Sequence, residues 1–411
     1  MNPKKYRPEL VVPAGDWPSL HTAMDQGADS VYFGVKGMNM RYFASNFSGL
    51  EMKKIVSILH RRNKKGYLAL NVMLKENELG RASRIITQAA AAGVDAVILW
   101  DMALLSLAQD AGIPVHLSTQ ASVANSRSVA HYAAQGVQRI ILARECGLDE
   151  IQSIGRFIKK EKIPCDLEVF IHGAMCLSVS GRCFLSQYSF GKSANRGRCE
   201  QPCRREYVIR EKEGTAEYIV GQDYILSPRD LCALDFIDQL LSAGVGAFKI
   251  EGRMRSPEYV GVTSAVYREA IDRCLSGFLT PALKKKLKQR LGKVFNRGFS
   301  DGFYFGRPDK TGSRGPQHQY EKIYLGDVLK YYKRIGVAEI ILRTQPLLRG
   351  QTVLVIGRNL PLRSMDVAEM QINHCPVERA DKGAVVGVKV DFPVKTKEKV
   401  FLWKPRRPSR A

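Results

Sequence analysis

The 411-residue chain has no run of about 18 consecutive apolar residues, so no segment reads as a membrane span. Its opening, MNPKKYRPELVVPAG, lacks the apolar stretch of a secretory signal, and a cytoplasmic protein is expected. No CxxC pair occurs among its nine cysteines, which removes the paired knuckles of a common zinc site. No GxGxxG follows the first apolar run, which weakens a doubly wound dinucleotide fold. Neither GxSxG nor HExxH is present, so two hydrolase signatures are missing. Acidic residues are also scarce. Asp and Glu number 40 against 63 Lys and Arg, a formal charge of +23. Such a surplus implies a polyanionic partner, and nucleic acid is the first candidate. Nine cysteines in a reducing compartment point to metal or redox chemistry rather than to disulfides.

What is present is a series of short apolar runs at residues 10–14, 30–34, 67–72, 96–100, 115–118, 139–143, 167–171 and 247–250. Each is rich in Val, Ile, Leu, Phe or Tyr, as strands buried on both faces are. Helical patterns fill the gaps at 18–26, 51–62, 80–92, 102–110, 123–135, 149–157 and 230–242. A weak internal repeat ties them together: DQGADSVYFG, AAGVDAVILW, AQGVQRIILA and SAGVGAFKIE each end a helix on Gly before a strand. The pattern predicts a TIM-like (β/α)8 barrel over residues 1–280. Its crossover from strand seven to strand eight, about 172–246, is a long cysteine-bearing insertion that includes a polar hairpin at 211–223.

A helix is expected at 256–275 and a basic helix at 281–293, with Lys284, Lys285, Lys286, Lys288, Arg290 and Lys293 on a solvated face. A linker follows within 281–319. Short β-like runs punctuated by Gly and Pro then predict a small antiparallel β-barrel over 320–403, and residues 404–411 form a basic tail.

In a TIM barrel the chemistry sits just past the strand ends. Those positions hold Asn71, Asp101, Ser118, Gln120, Arg144, Glu145, His172, Glu251 and Arg253. Within the insertion, Cys176 and Cys183 are separated by six residues, Cys199 follows after fifteen and Cys203 after three more; Cys232 lies 29 positions beyond Cys203. Arg182, Arg196, Arg198, Arg204 and Arg205 nearby favour thiolates. Spacing alone leaves zinc, an iron–sulfur cluster and buried structural cysteine open.

The stretch EVFIHGAMCLSVSGRCFLSQ at 168–187 resembles the signature of the collagenase-like peptidase family U-32. NRGRCEQPCRREY, SPRDLC, KIEGRMRSPEYV, LSTQASVAN, ILARE and ELVVPAGDWPSLHTAMDQGADSVYFG resemble it too, so the likeness covers essentially the whole barrel. The family name records a peptidase. The resemblance also implies oxygen-independent hydroxylases of tRNA uridine, of a ribosomal RNA cytidine or of a quinone ring. It implies a 4Fe–4S cluster on Cys176, Cys183, Cys199 and Cys232, with Cys203 a neighbouring cysteine that need not be a ligand. Prephenate is the implied hydroxyl source for the RNA enzymes. On this footing RNA, and tRNA first, is the expected partner. Arg144, Arg253 and Arg255 are assigned to phosphate or carboxylate, Gln120 and Asn71 to substrate, and His172 and Glu251 to proton transfer.

Overall fold

The computed structural model describes residues 7–205, 207–215, 217–220, 227–306, 308 and 315–406. The short apolar runs form strands because both their faces are covered: every residue of Ser30–Phe33, Ala96–Leu99 and Ala247–Ile250 is buried. In order they are β1 (Glu9–Ala14), β2 (Ser30–Phe33), β3 (Lys65–Ala69), β4 (Ala96–Leu99), β5 (Val115–Leu117), β6 (Arg139–Ile141), β7 (Asp166–Gly173) and the eighth barrel strand, Ala247–Ile250. Each runs parallel to its predecessor, and the eighth pairs with both β7 and β1, so the sheet closes. This is a TIM-like (β/α)8 barrel.

Helices α1 (Trp17–Asp25), α2 (Met52–His60), α3 (Leu79–Ala92), α4 (Met102–Asp110), α5 (Ser126–Ala134) and α6 (Leu148–Lys160) fill the crossovers. Asp16, Asp101 and Asn125 cap α1, α4 and α5 with their side-chain oxygens. The repeated glycines Gly27, Gly93, Gly136 and Gly244 all have positive φ, between 73° and 94°. That left-handed turn between helix and strand is why the repeat was visible in the sequence.

The insertion departs from the expected pattern. Residues 230–242 do not form one helix. β7 continues past the barrel rim, and its exposed edge at His172 and Gly173 is paired antiparallel by a short strand, Asp230–Cys232. Only α8 (Ile237–Ser242) is helical, after a 3-10 turn. Before it lie the six-residue α7 (Leu185–Phe190) and a two-stranded hairpin, Tyr207–Arg210 with Glu217–Val220. Parts of the expected hairpin at 211–223, the linker at 309–319 and the tail at 404–411 lie outside the described residues.

α9 (Pro257–Leu275) and α10 (Pro281–Lys293) follow the barrel. α10 is fastened to it: Leu287 and Leu291 are buried in the barrel core. Lys284 pairs with Asp238 at 2.8 Å, Arg290 with Glu269 at 2.5 Å, and Lys288 with Asp235. Half of the basic residues read as a solvated face thus neutralise acids of the barrel.

Residues 320–405 build an antiparallel eight-stranded sheet curled into a half-barrel. Its long strand Tyr320–Tyr332 shifts register against both neighbours, and these bulges let it bend. The sheet has its own core, with Leu325, Leu342, Val386 and Val400 fully buried. It docks on the barrel through Lys322 to Glu258 at 2.9 Å, Arg363 to Asp25 at 2.9 Å, and the Leu362 amide to Thr22 Oγ1 at 2.8 Å. Among the described residues, no helix is long and apolar enough to cross a membrane.

Candidate functional site

A charged layer crosses the barrel interior. Lys249 Nζ of the eighth strand meets Glu168 Oε1 of β7 at 2.6 Å. Arg139 of β6 meets Glu9 at 2.8 Å and Glu168 at 3.5 Å. Burial pulls the Lys249 ammonium below its ordinary range despite Glu168, and it rests 4.5 Å above the Tyr32 ring. Lys249 is the floor of a cavity of about 410 Å³ between the strand ends and the cysteine insertion.

Cations dominate its wall. Among the described residues, Arg41, Arg144, Arg204, Lys249, Arg253, Arg255 and Arg297 line it, against a single carboxylate, Glu251. Glu251 Oε1 accepts from Arg41 Nη2 at 2.8 Å and Nε at 3.2 Å. Burial alone would raise this carboxyl; Arg41, Arg255 and Arg144 outweigh it and hold it at about 2. Arg144 Nη1 donates to the Ala174 carbonyl at 2.6 Å, and its guanidinium lies 3.9 Å over Phe170. Arg255 stacks 3.8 Å over Phe295. Arg253 is only 4% exposed, and burial lowers it to about 10. Its Nη1 and the Nε of Arg144 are buried without a hydrogen-bond partner. Unpaired guanidinium donors are costly to bury.

On the opposite wall Asn71 and Gln120 lock together. Asn71 Nδ2 donates to Gln120 Oε1 at 2.9 Å, Gln120 Nε2 donates to the Asn71 carbonyl at 3.0 Å, and Ser118 Oγ reaches Gln120 Oε1 at 3.0 Å.

The insertion forms the roof. Arg196 anchors it by a two-pronged contact to Glu78, one arm at 2.8 Å, and by a bond to the Met73 carbonyl at 3.1 Å. Cys176, Cys183, Cys199 and Cys203 all line the cavity. Backbone amides of Leu185 and Gln201 point at the sulfurs of Cys183 and Cys199, at 3.3 and 3.4 Å. Burial opposes ionisation of Cys176, but Ser178, the Gly181 amide and Arg144 overcome it and hold the thiol below its ordinary value. Burial pushes Cys199 and Cys203 up. Among the described residues, no three His, Cys, Asp or Glu groups stand close enough to share one metal ion.

Two assigned residues lie elsewhere. Cys232 does not line the cavity. It is 1% exposed, its sulfur 3.6 Å from Tyr267 Oη, and burial raises its thiol to about 11. His172, directly across the strand pair from Cys232, is packed between Tyr259, Tyr267 and Phe299 with ring centroids 5.4–5.9 Å away. Burial, with a smaller push from Arg255, lowers it to about 3. His172, assigned to proton transfer, thus stands outside the cavity wall in an aromatic pocket. Glu251, also assigned to proton transfer, does line the cavity, ion-paired with Arg41. Of the other strand-end positions, Asp101 caps α4 and Glu145 is exposed. Sequence reasoning missed Arg41, Arg297 and Tyr32. It missed Lys249 too, although a lysine inside an otherwise apolar barrel strand is a signal that could have found it.

The Glu251 pair has a pH signature. A carboxyl at about 2 in the fold and about 4.3 when unfolded contributes stability that is complete above about pH 5 and lost as pH falls toward 2. Denaturant midpoints should therefore drop more steeply between about pH 5 and pH 2 in the wild type than in Glu251→Gln. Parallel curves would show that Glu251 contributes nothing through its charge.

Residues 15–314 match the sequence profile of Peptidase family U32. A protein of Methanocaldococcus jannaschii named an uncharacterized protease is 42% identical over 96% of this chain and 98% of its own length. A collagenase of Porphyromonas gingivalis is 35% identical over 97% of this chain and 98% of its own. tRNA hydroxylation protein P1 of Bacillus subtilis is 32% identical over 79% of this chain and 78% of its own.

Proposed function

The chain belongs to peptidase family U32, and on that premise we propose that it is an oxygen-independent RNA hydroxylase that forms 5-hydroxyuridine at the tRNA wobble position. The observation that carries this reading is the convergence of four thiols and seven cations on one cavity that, among the described residues, no histidine lines. Peptide hydrolysis finds little support there. The carboxylate Glu251 is tied to Arg41, and among the described residues no histidine lines the cavity to serve as a base for a serine or cysteine nucleophile. The relative named for tRNA hydroxylation supports the reading from outside the structure.

Four thiols spread around one cavity suit a cuboidal cluster, in which each iron takes one thiolate, better than a single ion. We assign Cys176, Cys183, Cys199 and Cys203 to a 4Fe–4S cluster. When bound, the cluster supplies one-electron chemistry or a Lewis-acidic iron beside the substrate. Arg253 and Arg144, which line the cavity, receive the carboxylates of prephenate, the hydroxyl source in this reading. Asn71 and Gln120 each retain one amide hydrogen for the edge of a base. A uridine in an anticodon loop reaches the cavity at the least unstacking cost.

Nucleosides from tRNA and from ribosomal RNA of a deletion strain test this. Loss of hydroxyuridine from tRNA, restored by the wild-type gene and not by Cys176→Ala, is the expected result. Loss of hydroxycytidine from ribosomal RNA would move the substrate, and two unchanged profiles would overturn RNA hydroxylation.

A further inference from the structure

α7 is built the wrong way round for a surface helix. The one side chain it buries is Ser186, and its large apolar residues face water. Ser186 Oγ accepts from the Glu200 amide at 3.0 Å and donates to the Arg198 carbonyl at 3.5 Å, so hydrogen bonds, not apolar burial, pin the helix to the roof. Tyr188 is 87% exposed and Phe184 64%, four residues apart with ring centroids 6.3 Å from each other. Phe184 directly follows the cavity-lining Cys183. The rim continues across the mouth: Lys192, just past α7, lies 5.7 Å over Phe43, itself half exposed and part of the cavity wall. Arg205 lies 4.2 Å over Phe190 and Arg198 4.3 Å over Tyr42.

An exposed patch of this size marks a docking surface. Its pattern of open rings alternating with cations selects the occupant. A folded protein partner would meet a row of positive charge. A single-stranded nucleic acid offers a flat base to each ring and a phosphate to each cation. We propose that α7 and the loop around Phe43 form a stacking clamp for the unpaired nucleotides that flank the base entering the cavity. The clamp rests on the RNA reading above and adds where the loop is gripped. Tyr188 and Phe184 hold bases on one side of the mouth, and Phe43 holds one on the other.

The test is fluorescence anisotropy of the full-length protein with two probes: an anticodon-type hairpin and a fully paired duplex of the same stem. Each exposed ring removed should weaken hairpin binding roughly tenfold while duplex binding stays unchanged. Tyr188→Ala and the Phe184→Ala, Tyr188→Ala pair provide the losses, and Tyr188→Trp should retain wild-type affinity because it keeps a ring. Circular dichroism should not change, since these rings pack in no core. Wild-type affinity in both alanine variants would overturn the clamp and leave RNA hydroxylation standing. A wild-type protein that binds neither probe would overturn both. A wild-type dimer that Tyr188→Ala splits into monomers would overturn the clamp in favour of self-association.

Discussion

Cys203→Ala should strip the anaerobically purified protein of its iron, whereas Cys232→Ala should leave about four irons per chain in place. The contrast follows from where the sulfurs stand. Cys203 shares the cavity with Cys176, Cys183 and Cys199, on the short turn Pro202–Arg204. That turn is held in place by Arg204, whose guanidinium reaches the Pro228 carbonyl at 2.8 Å and the Met175 carbonyl. Cys232 sits on the far side of β7, in the same aromatic pocket as His172. Opposed residues of an antiparallel pair project to one face, so Cys232 is turned away from the cavity for the same reason that His172 is. The measurement is iron, acid-labile sulfide and the visible spectrum of the wild type beside both variants. Iron lost from Cys232→Ala and kept in Cys203→Ala would restore the ligand set implied by the family resemblance. It would also require the Asp230–Cys232 strand to leave β7 when the cluster loads.

The barrel was legible because its signals are local. Strands buried on both faces must be continuous apolar runs, and a helix that turns straight into such a strand needs a left-handed residue, so Gly27, Gly93, Gly136 and Gly244 announce the units. The site was legible at strand ends, where Asn71, Ser118, Gln120, Arg144, Glu251 and Arg253 do meet. What stayed hidden depends on which way a side chain faces. His172 shares strand parity with the inward-facing Glu168 and Phe170, yet the register shift that skips Ile171 in the pairing of β7 with the eighth strand turns it behind the barrel. Arg41 lies on a loop eight residues past the end of β2, and only the fold returns it to Glu251 at 2.8 Å. The surplus of positive charge was visible, but its placement was not. Much of α10 answers acids of the barrel, while the cations that face a ligand are scattered over 250 residues of sequence, from Arg41 to Arg297.

Replacing Arg253 by methionine should make the protein more stable and nearly unable to bind a small carboxylate. The guanidinium is 4% exposed and its Nη1 has no partner, so the ligand-free fold carries a buried charge that is only partly compensated. Glu251 and the ring of Tyr32 help it, Arg41 opposes it, and the net effect is a fall to about 10. Replacing buried ion pairs or triads by apolar side chains of similar volume is often neutral or stabilising by about 1–4 kcal/mol, and a charge without a full partner should gain in the same direction. Binding goes the other way: losing a charge-assisted, two-pronged partner should raise the dissociation constant of prephenate about a hundredfold. Gly34 gives a second handle on the same atoms. A Cβ built there falls 2.3 Å from Arg253 Nη1, so Gly34→Ala displaces the guanidinium while keeping its charge. Calorimetric titration with prephenate beside thermal unfolding separates the outcomes. A stabilised Arg253→Met with lost binding, and Gly34→Ala with weakened binding, would show that the empty cavity is held strained for an anion. Binding unchanged in Arg253→Met would take the carboxylate away from Arg253 and leave Arg144 and Arg255 to hold it. A destabilised Arg253→Met would mean that Tyr32 and Glu251 compensate the charge fully, making Arg253 part of the scaffold rather than a receptor kept ready for ligand.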